Sequence, residues 1–421
     1  MAKRPKPAIN RWVNLPAPHE SVFRLTLGYR GWACDLARGT PISPARVCPR
    51  AHRIFPAHNR FVTSICPRLV SRTLSLATLP HREATGVENH AFVQNSIAYS
   101  LALAYCLGTT VVKSHMLKLR EPVANGIMKV SGIRSPLEFR VFHINGIALH
   151  VVFAGPANGK PLIFLHGFPE FWFAWRRQID HFASSGYRLI IPDQRGYNLS
   201  DKPACIASYC IDLLAKDVVS ILDNVAGSKA FVVGHDWGAA VTWYLAGRYS
   251  ERISRAAMLS VPHPRIFTKN LMTNPAQLRR SWYMLFFQLP WLPECILRRR
   301  DWALLVRVLQ NTSPPGVFSD SDLEQYKESW ARKDALTAML NWYRAALLHP
   351  SKLALNCEAS RVKVPALLIW GKNDQFLDHA MARESLQYCD DGHLEMLESA
   401  THWVQHEQPA QVNNLLSQFF A

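Results

Sequence analysis

A series of short, nearly continuous apolar runs constrains this chain more than any other feature: Leu162–Leu165, Leu189–Ile191, Ala230–Val233, Ala366–Trp370 and the weaker Leu394–Leu397. Each is too short to be a helix and is apolar on both faces, and helix-length segments separate them. That pattern predicts an α/β fold, a mostly parallel sheet with helices on both sides. Ahead of these runs, Leu137–Phe142 alternates, Asn145-Gly146 offers a type I′ turn, and Ile147–Val152 follows as the second arm of a hairpin. Between about 263 and 350 the strand signal stops. That stretch is helical in pattern, rich in Trp, Tyr and Phe, and punctuated by Pro290, Pro293, Pro314 and Pro315. It reads as a helical cap over 263–350, inserted into a core built from 130–262 and 351–421.

Composition supports a large core: of 421 residues, 48% are apolar and only 19% charged, which excludes a wholly disordered chain. The net charge of +17 invites a nucleic-acid function, but the placement of the charge argues against it. Residues 1–120 carry 17 Lys and Arg against 4 acids, whereas 121–421 carry 31 against 27. The body offers no basic groove with stacking aromatics, so no nucleic-acid partner is expected. Nine Cys without a C-x-x-C pair give no zinc-ribbon spacing and no dense disulfide framework.

The basic excess belongs to residues 1–90, which hold ten prolines and no sustained period, and which read as a disordered leader. Residues 91–112 then run for 22 positions without a formal charge, long enough to cross a bilayer as a single signal-anchor helix. In that reading the basic side stays cytoplasmic and the body faces the endoplasmic reticulum lumen. The sequons Asn198-Leu199-Ser200 and Asn311-Thr312-Ser313 fit a lumenal body. Gln94, Asn95 and several Ser and Thr weaken the span. The same Arg-rich, acid-poor stretch also fits a mitochondrial-type transit leader on a soluble body, or an atypical start to the reading frame.

The strongest chemical signal is Gly234-His235-Asp236-Trp237-Gly238, where an apolar strand runs through G-x-D-x-G straight into a helical pattern. Small residues on both sides permit the sharp strand–turn–helix bend that presents a nucleophile. Where Ser would attack an acyl carbon, the carboxylate of Asp236 is already anionic and suits displacement at a saturated carbon, leaving an ester on the protein. Alone, such a motif also describes an ordinary tight turn. Two later signals join it. Leu368–Asp374 is a strand delivering the carboxylate of Asp374 at its carboxyl end. Ser399–Trp403 is a loop after another strand signal, and it presents His402, with His379, His393 and His406 as local rivals. Leu165–Glu170 turns sharply after an early strand, so that the Phe168 and Trp237 backbone N–H groups can converge as an oxyanion hole. His166, Glu170 and the Asp193–Gly196 segment read as structural.

Taken in order, H-G-F-P-E (166–170), D-Q-R-G-Y (193–197), G-H-D-W-G (234–238), G-K-N-D (371–374) and T-H-W (401–403) resemble the epoxide hydrolases of the α/β-hydrolase fold. The similarity covers roughly 130–421. It leans towards the membrane-anchored subgroup of epoxide hydrolases 3 and 4, with Glu398–Gln405 nearer to 4. The resemblance implies two cap tyrosines that donate to the oxirane oxygen, and the matching positions are Tyr283 and Tyr343. Asp236 would then be the nucleophile, His402 the general base and Asp374 the group orienting it. The substrate would be a hydrophobic epoxide, such as a lipid epoxide, with no metal or organic cofactor. Two rivals stand beside this reading. A dehalogenase shares the Asp–His–Asp scheme, although halide leaves without paired phenols. A non-catalytic ligand-binding relative would keep the fold alone.

Overall fold

The computed structural model describes residues 126–128, 130–225, 227, 229–350 and 361–421. The leader, the 91–112 segment and residues 351–360 lie outside these. A twisted sheet organises the described residues. Its antiparallel flank consists of β1 (Gly126–Met128), β2 (Leu137–Ile144) and β3 (Ile147–Ala154). Then come β4 (Lys160–Leu165), β5 (Tyr187–Pro192), β6 (Ala230–His235), β7 (Ile253–Leu259), β8 (Ala366–Gly371) and β9 (Gly392–Leu397). The spatial order is β1-β2-β3-β5-β4-β6-β7-β8-β9. β3 runs antiparallel to β5, and every later pairing from β5 to β9 is parallel.

The residue types explain the layout. β5 and β8 are buried at all six positions, which is why they read as unbroken apolar runs. Among the described residues β9 pairs only with β8, and it alternates in burial, so its weak apolar signal is that of an edge strand. The β2–β3 turn has positive φ at both Asn145 and Gly146, as a type I′ hairpin requires. The first strand begins at Gly126, ahead of the expected start at 130, because 126–128 pairs with Leu137–Phe139.

Between β7 and β8 the chain leaves the sheet for a set of helices: Pro264–Thr273, Pro275–Arg280, Trp282–Phe286, Leu292–Asn311 (broken by non-helical backbone at Arg299–Trp302), Asp320–Trp330 and Ala335–Leu348. Proline sits in the first turn of three of them, where its missing N–H costs no hydrogen bond. Ser319 and Asp322 close a reciprocal capping box on a fourth. Among the described residues, no helix is long and apolar enough to cross a membrane.

The parallel strands share one carboxyl edge, and the loops after β4, β6, β8 and β9 all emerge there. Ligands in open α/β sheets bind at that edge. The four loops carry Phe168, Asp236, Asp374 and His402.

Candidate active site

Asp236 sits between β6 and the Trp237–Arg248 helix with φ 50° and ψ −122°, a backbone conformation strained for any residue but Gly. The crossing is tight enough that a Cβ on Gly238 would overlap the Leu165 carbonyl, and one on Gly167 would overlap the Asp236 side chain. Glycine at these two places lets the β4 loop come down onto the carboxylate. The Phe168 N–H then donates to Asp236 Oδ1 at 2.7 Å. Trp237 is the first residue of the helix, so its N–H has no intrahelical acceptor.

His402 is buried. Its Nδ1–H donates to Asp374 Oδ2 at 2.8 Å, and its Nε2 lies 3.7 Å from Asp236 Oδ2. Asp374 is itself fixed, with Oδ1 accepting from the Phe376 and Leu377 N–H groups at 2.8 and 3.0 Å. Burial works against the imidazolium, but Asp374 and Asp236 outweigh it and hold His402 up at about 10. In the resting site, therefore, a histidine cation lies between two carboxylates.

Tyr283, from the Trp282–Phe286 helix, and Tyr343, from the Ala335–Leu348 helix, stand edge to face with ring centroids 6.0 Å apart. Both line the cavity that contains Asp236. Tyr343 also packs edge-on against Trp237 and Phe168, at 5.1 and 5.4 Å. Burial, and then the Asp236 charge, push both phenols well above the usual value, so both are protonated donors at neutral pH. The cavity holds about 550 Å³ and is walled by Phe287, Leu305, Phe376 and Trp403 among others. A smaller apolar space of about 80 Å³, next to Val261 and Phe267, opens on the other side of Asp236, Tyr283 and Tyr343.

The rival histidines lie elsewhere. His393 is exposed beside Asp391, and His379 is exposed as well. His406 is buried and neutral, donating from Nε2 to Glu170 at 2.6 Å while its Nδ1 accepts from Arg176; burial pulls it down to about 4. His166 accepts the Gln194 N–H at Nε2, and Asp193 and Arg195 bind His150 and Asp217, so these remain scaffold groups.

Sequence reasoning read Glu170 as structural but did not anticipate how far its contacts reach. Glu170 is completely buried and also accepts from the Tyr326 hydroxyl of a cap helix at 2.8 Å. It lies 3.2 Å from His235, whose Nε2–H donates to the His402 carbonyl at 2.9 Å. Glu170 thus touches both the cap and the histidine that supports the His402 loop. The available signals were its place after His166–Pro169 and the position of His235 directly before Asp236.

A family profile described as alpha/beta hydrolase fold matches residues 160–409. The AB hydrolase superfamily protein YfhM of Bacillus subtilis is 43% identical over 275 residues, which is 65% of this chain and 95% of that protein. Human epoxide hydrolase 4 is 37% identical over 283 residues, 65% of this chain and 76% of the relative. Among solved structures, an epoxide hydrolase from Bacillus megaterium in complex with an inhibitor superposes with a TM-score of 0.61 at 30% identity, covering 67% of this chain and 99% of that one.

Proposed function

The chain belongs to the alpha/beta hydrolase fold family, beside epoxide hydrolases, and we propose that it converts hydrophobic epoxides, lipid epoxides among them, to vicinal diols through an ester on Asp236. One observation carries this reading: two protonated cap phenols share a cavity with a carboxylate that itself faces a carboxylate-paired histidine. Ring opening at neutral pH expels a strongly basic alkoxide, and the phenols answer that need. A displaced halide has no such need.

Phe168 N–H holds Oδ1 of Asp236, which leaves Oδ2 to attack one oxirane carbon. The ring C–O bond breaks and its oxygen takes a proton from Tyr283 or Tyr343. Esterification removes the Asp236 charge, so His402 loses one of the two anions that hold its proton. That proton returns to the phenolate, and the neutral imidazole can then deprotonate a water directed at the ester carbonyl. Oδ1 carries the resulting negative charge against the Phe168 and Trp237 N–H groups. The tetrahedral centre collapses, and His402 protonates the departing diol oxygen. Asp236 gives its remaining proton back to His402, which restores the resting site.

The test is a single turnover in heavy-oxygen water with a long-chain epoxide. The label should enter the Asp236 carboxyl and stay out of the first diol formed. Label found directly in that diol overturns the mechanism. Asp236→Asn should abolish turnover, and His402→Gln should accumulate the ester as a mass increment on the intact protein.

The proposal extends to location. The 22 uncharged residues at 91–112 support a signal anchor with the catalytic body in the endoplasmic reticulum lumen. Alkaline carbonate extraction should leave the full-length protein in the membrane pellet. Release to the supernatant overturns the anchor and favours a mitochondrial or soluble location.

A further inference from the structure

The cap exposes apolar side chains at helical spacing. Leu278, Trp282 and Leu285, on the Pro275–Arg280 and Trp282–Phe286 helices, and Leu289 in the turn that follows recur every three or four residues, the signature of a face meant to be covered. Yet Trp282 is 63% and Leu285 60% exposed, with Met272 and Trp291 exposed on either side. Other faces of the same segment are already used, because Gln277, Ser281 and Phe287 are buried. The stripe is therefore a second apolar face, left uncovered among the described residues. Soluble monomers seldom leave such contiguous patches without a partner.

Charge indicates which partner. Residues 264–300 hold seven Lys and Arg against one acid, Glu294, while the remainder of 121–421 holds 24 against 26. The surplus positive charge of the body is thus concentrated in this part of the cap. Glu294 is buried and paired with Arg344, which removes it from the surface. Lys269 pairs with Glu384 and Arg280 donates to the Asp374 carbonyl, but Arg279 and Arg298 are exposed with no carboxylate within 4 Å among the described residues. Exposed Trp and Leu flanked by Arg side chains such as Arg279 and Arg298 form the composition that settles at an anionic lipid interface. Trp282 and Leu304, both exposed, also line the 550 Å³ cavity, so the patch and the cavity share a wall.

We propose that the Leu278–Trp291 face of the cap lies on an anionic bilayer surface, so that the cavity faces the phase in which apolar substrates dissolve. This contact is separate from the 91–112 segment and does not depend on the catalytic reading.

Bromine-labelled phosphatidylcholine quenches only tryptophans that reach the acyl region. The full chain should be mixed with such vesicles, with and without phosphatidylserine, and its fluorescence compared with that of Trp282→Phe. Quenching should be greater with phosphatidylserine, should weaken in high salt, and should lose a distinct component in Trp282→Phe. Arg279→Gln/Arg298→Gln should reduce the phosphatidylserine-dependent part about tenfold. Equal quenching of wild type and Trp282→Phe overturns the proposal, whether or not the chain binds through another segment. So does a Trp282 that acrylamide cannot reach in vesicle-free protein. If its shielding rises with protein concentration, a second copy covers the face; if it does not, another part of the chain does.

Discussion

At the scale of single residues the site is governed by where protons rest. His402 is held at about 10 against an ordinary 6.5, because Asp374 and Asp236 together outweigh its burial. A histidine pKa raised on folding stabilises the protein fully below about 6.5, and that contribution drains away as pH rises through about 10, at up to about 1.4 kcal/mol per pH unit. Urea midpoints from neutral to alkaline pH should therefore fall more steeply for the wild type than for His402→Gln. A variant with an equally steep limb would show that the cation is not held as described. The phenols make a separate prediction. Tyr283→Phe/Tyr343→Phe should slow ester formation by about 10²–10⁴-fold, and hydrolysis of an ester already formed should slow less, because His402 can release its proton to solvent in place of the phenolate. Rapid-quench measurement of the two half-reactions separates these effects.

Secondary-structure elements hold those residues in place, and here the sequence was legible to different depths. Asp236, Asp374 and His402 could be read because each follows a strand, and a parallel sheet brings its carboxyl ends to one edge. Burial of β5 and β8 on both faces made their strands visible, whereas edge strand β9 showed only as a faint apolar run. What fixes the two tyrosines was not legible at all. Arg344, one position after Tyr343, donates to Glu294 and Asn341 and to the Phe287 and Leu289 carbonyls at 2.8–3.1 Å. It ties the helix of Tyr343 to the chain that follows the helix of Tyr283, across some fifty residues that no spacing rule connects. Arg344→Met should cost about 3–5 kcal/mol, because Glu294 is left buried without its cation. Arg344→Met/Glu294→Leu should regain much of that stability in thermal unfolding. Its ester-formation rate should stay low, because the clamp between the tyrosines is still gone. Recovery of both together would make Arg344 a stability residue only.

Over the whole molecule, the proposed reaction takes its nucleophile and base from the sheet and its acids from the cap, so it can occur only where the two meet. Glu170 spans that junction through Tyr326 on the cap side and His235 on the sheet side. The junction also sets the shape of what can react. Asp236, Tyr283 and Tyr343 border both the space of about 550 Å³ and that of about 80 Å³. An oxirane held between carboxylate and phenols must therefore direct its two carbon substituents into unequal rooms. Epoxides with one long and one short substituent should be processed with kcat/KM at least about tenfold above isomers bearing two long chains. A crowded small pocket discriminates by one to a few kcal/mol. Phe267→Ala enlarges the small space without touching Asp236, His402 or either phenol, and it should narrow that preference mainly by raising turnover of the symmetric isomer. If the isomers react equally in the wild type, or if Phe267→Ala slows both alike, the two spaces do not divide the substrate and the long arm must leave by another route.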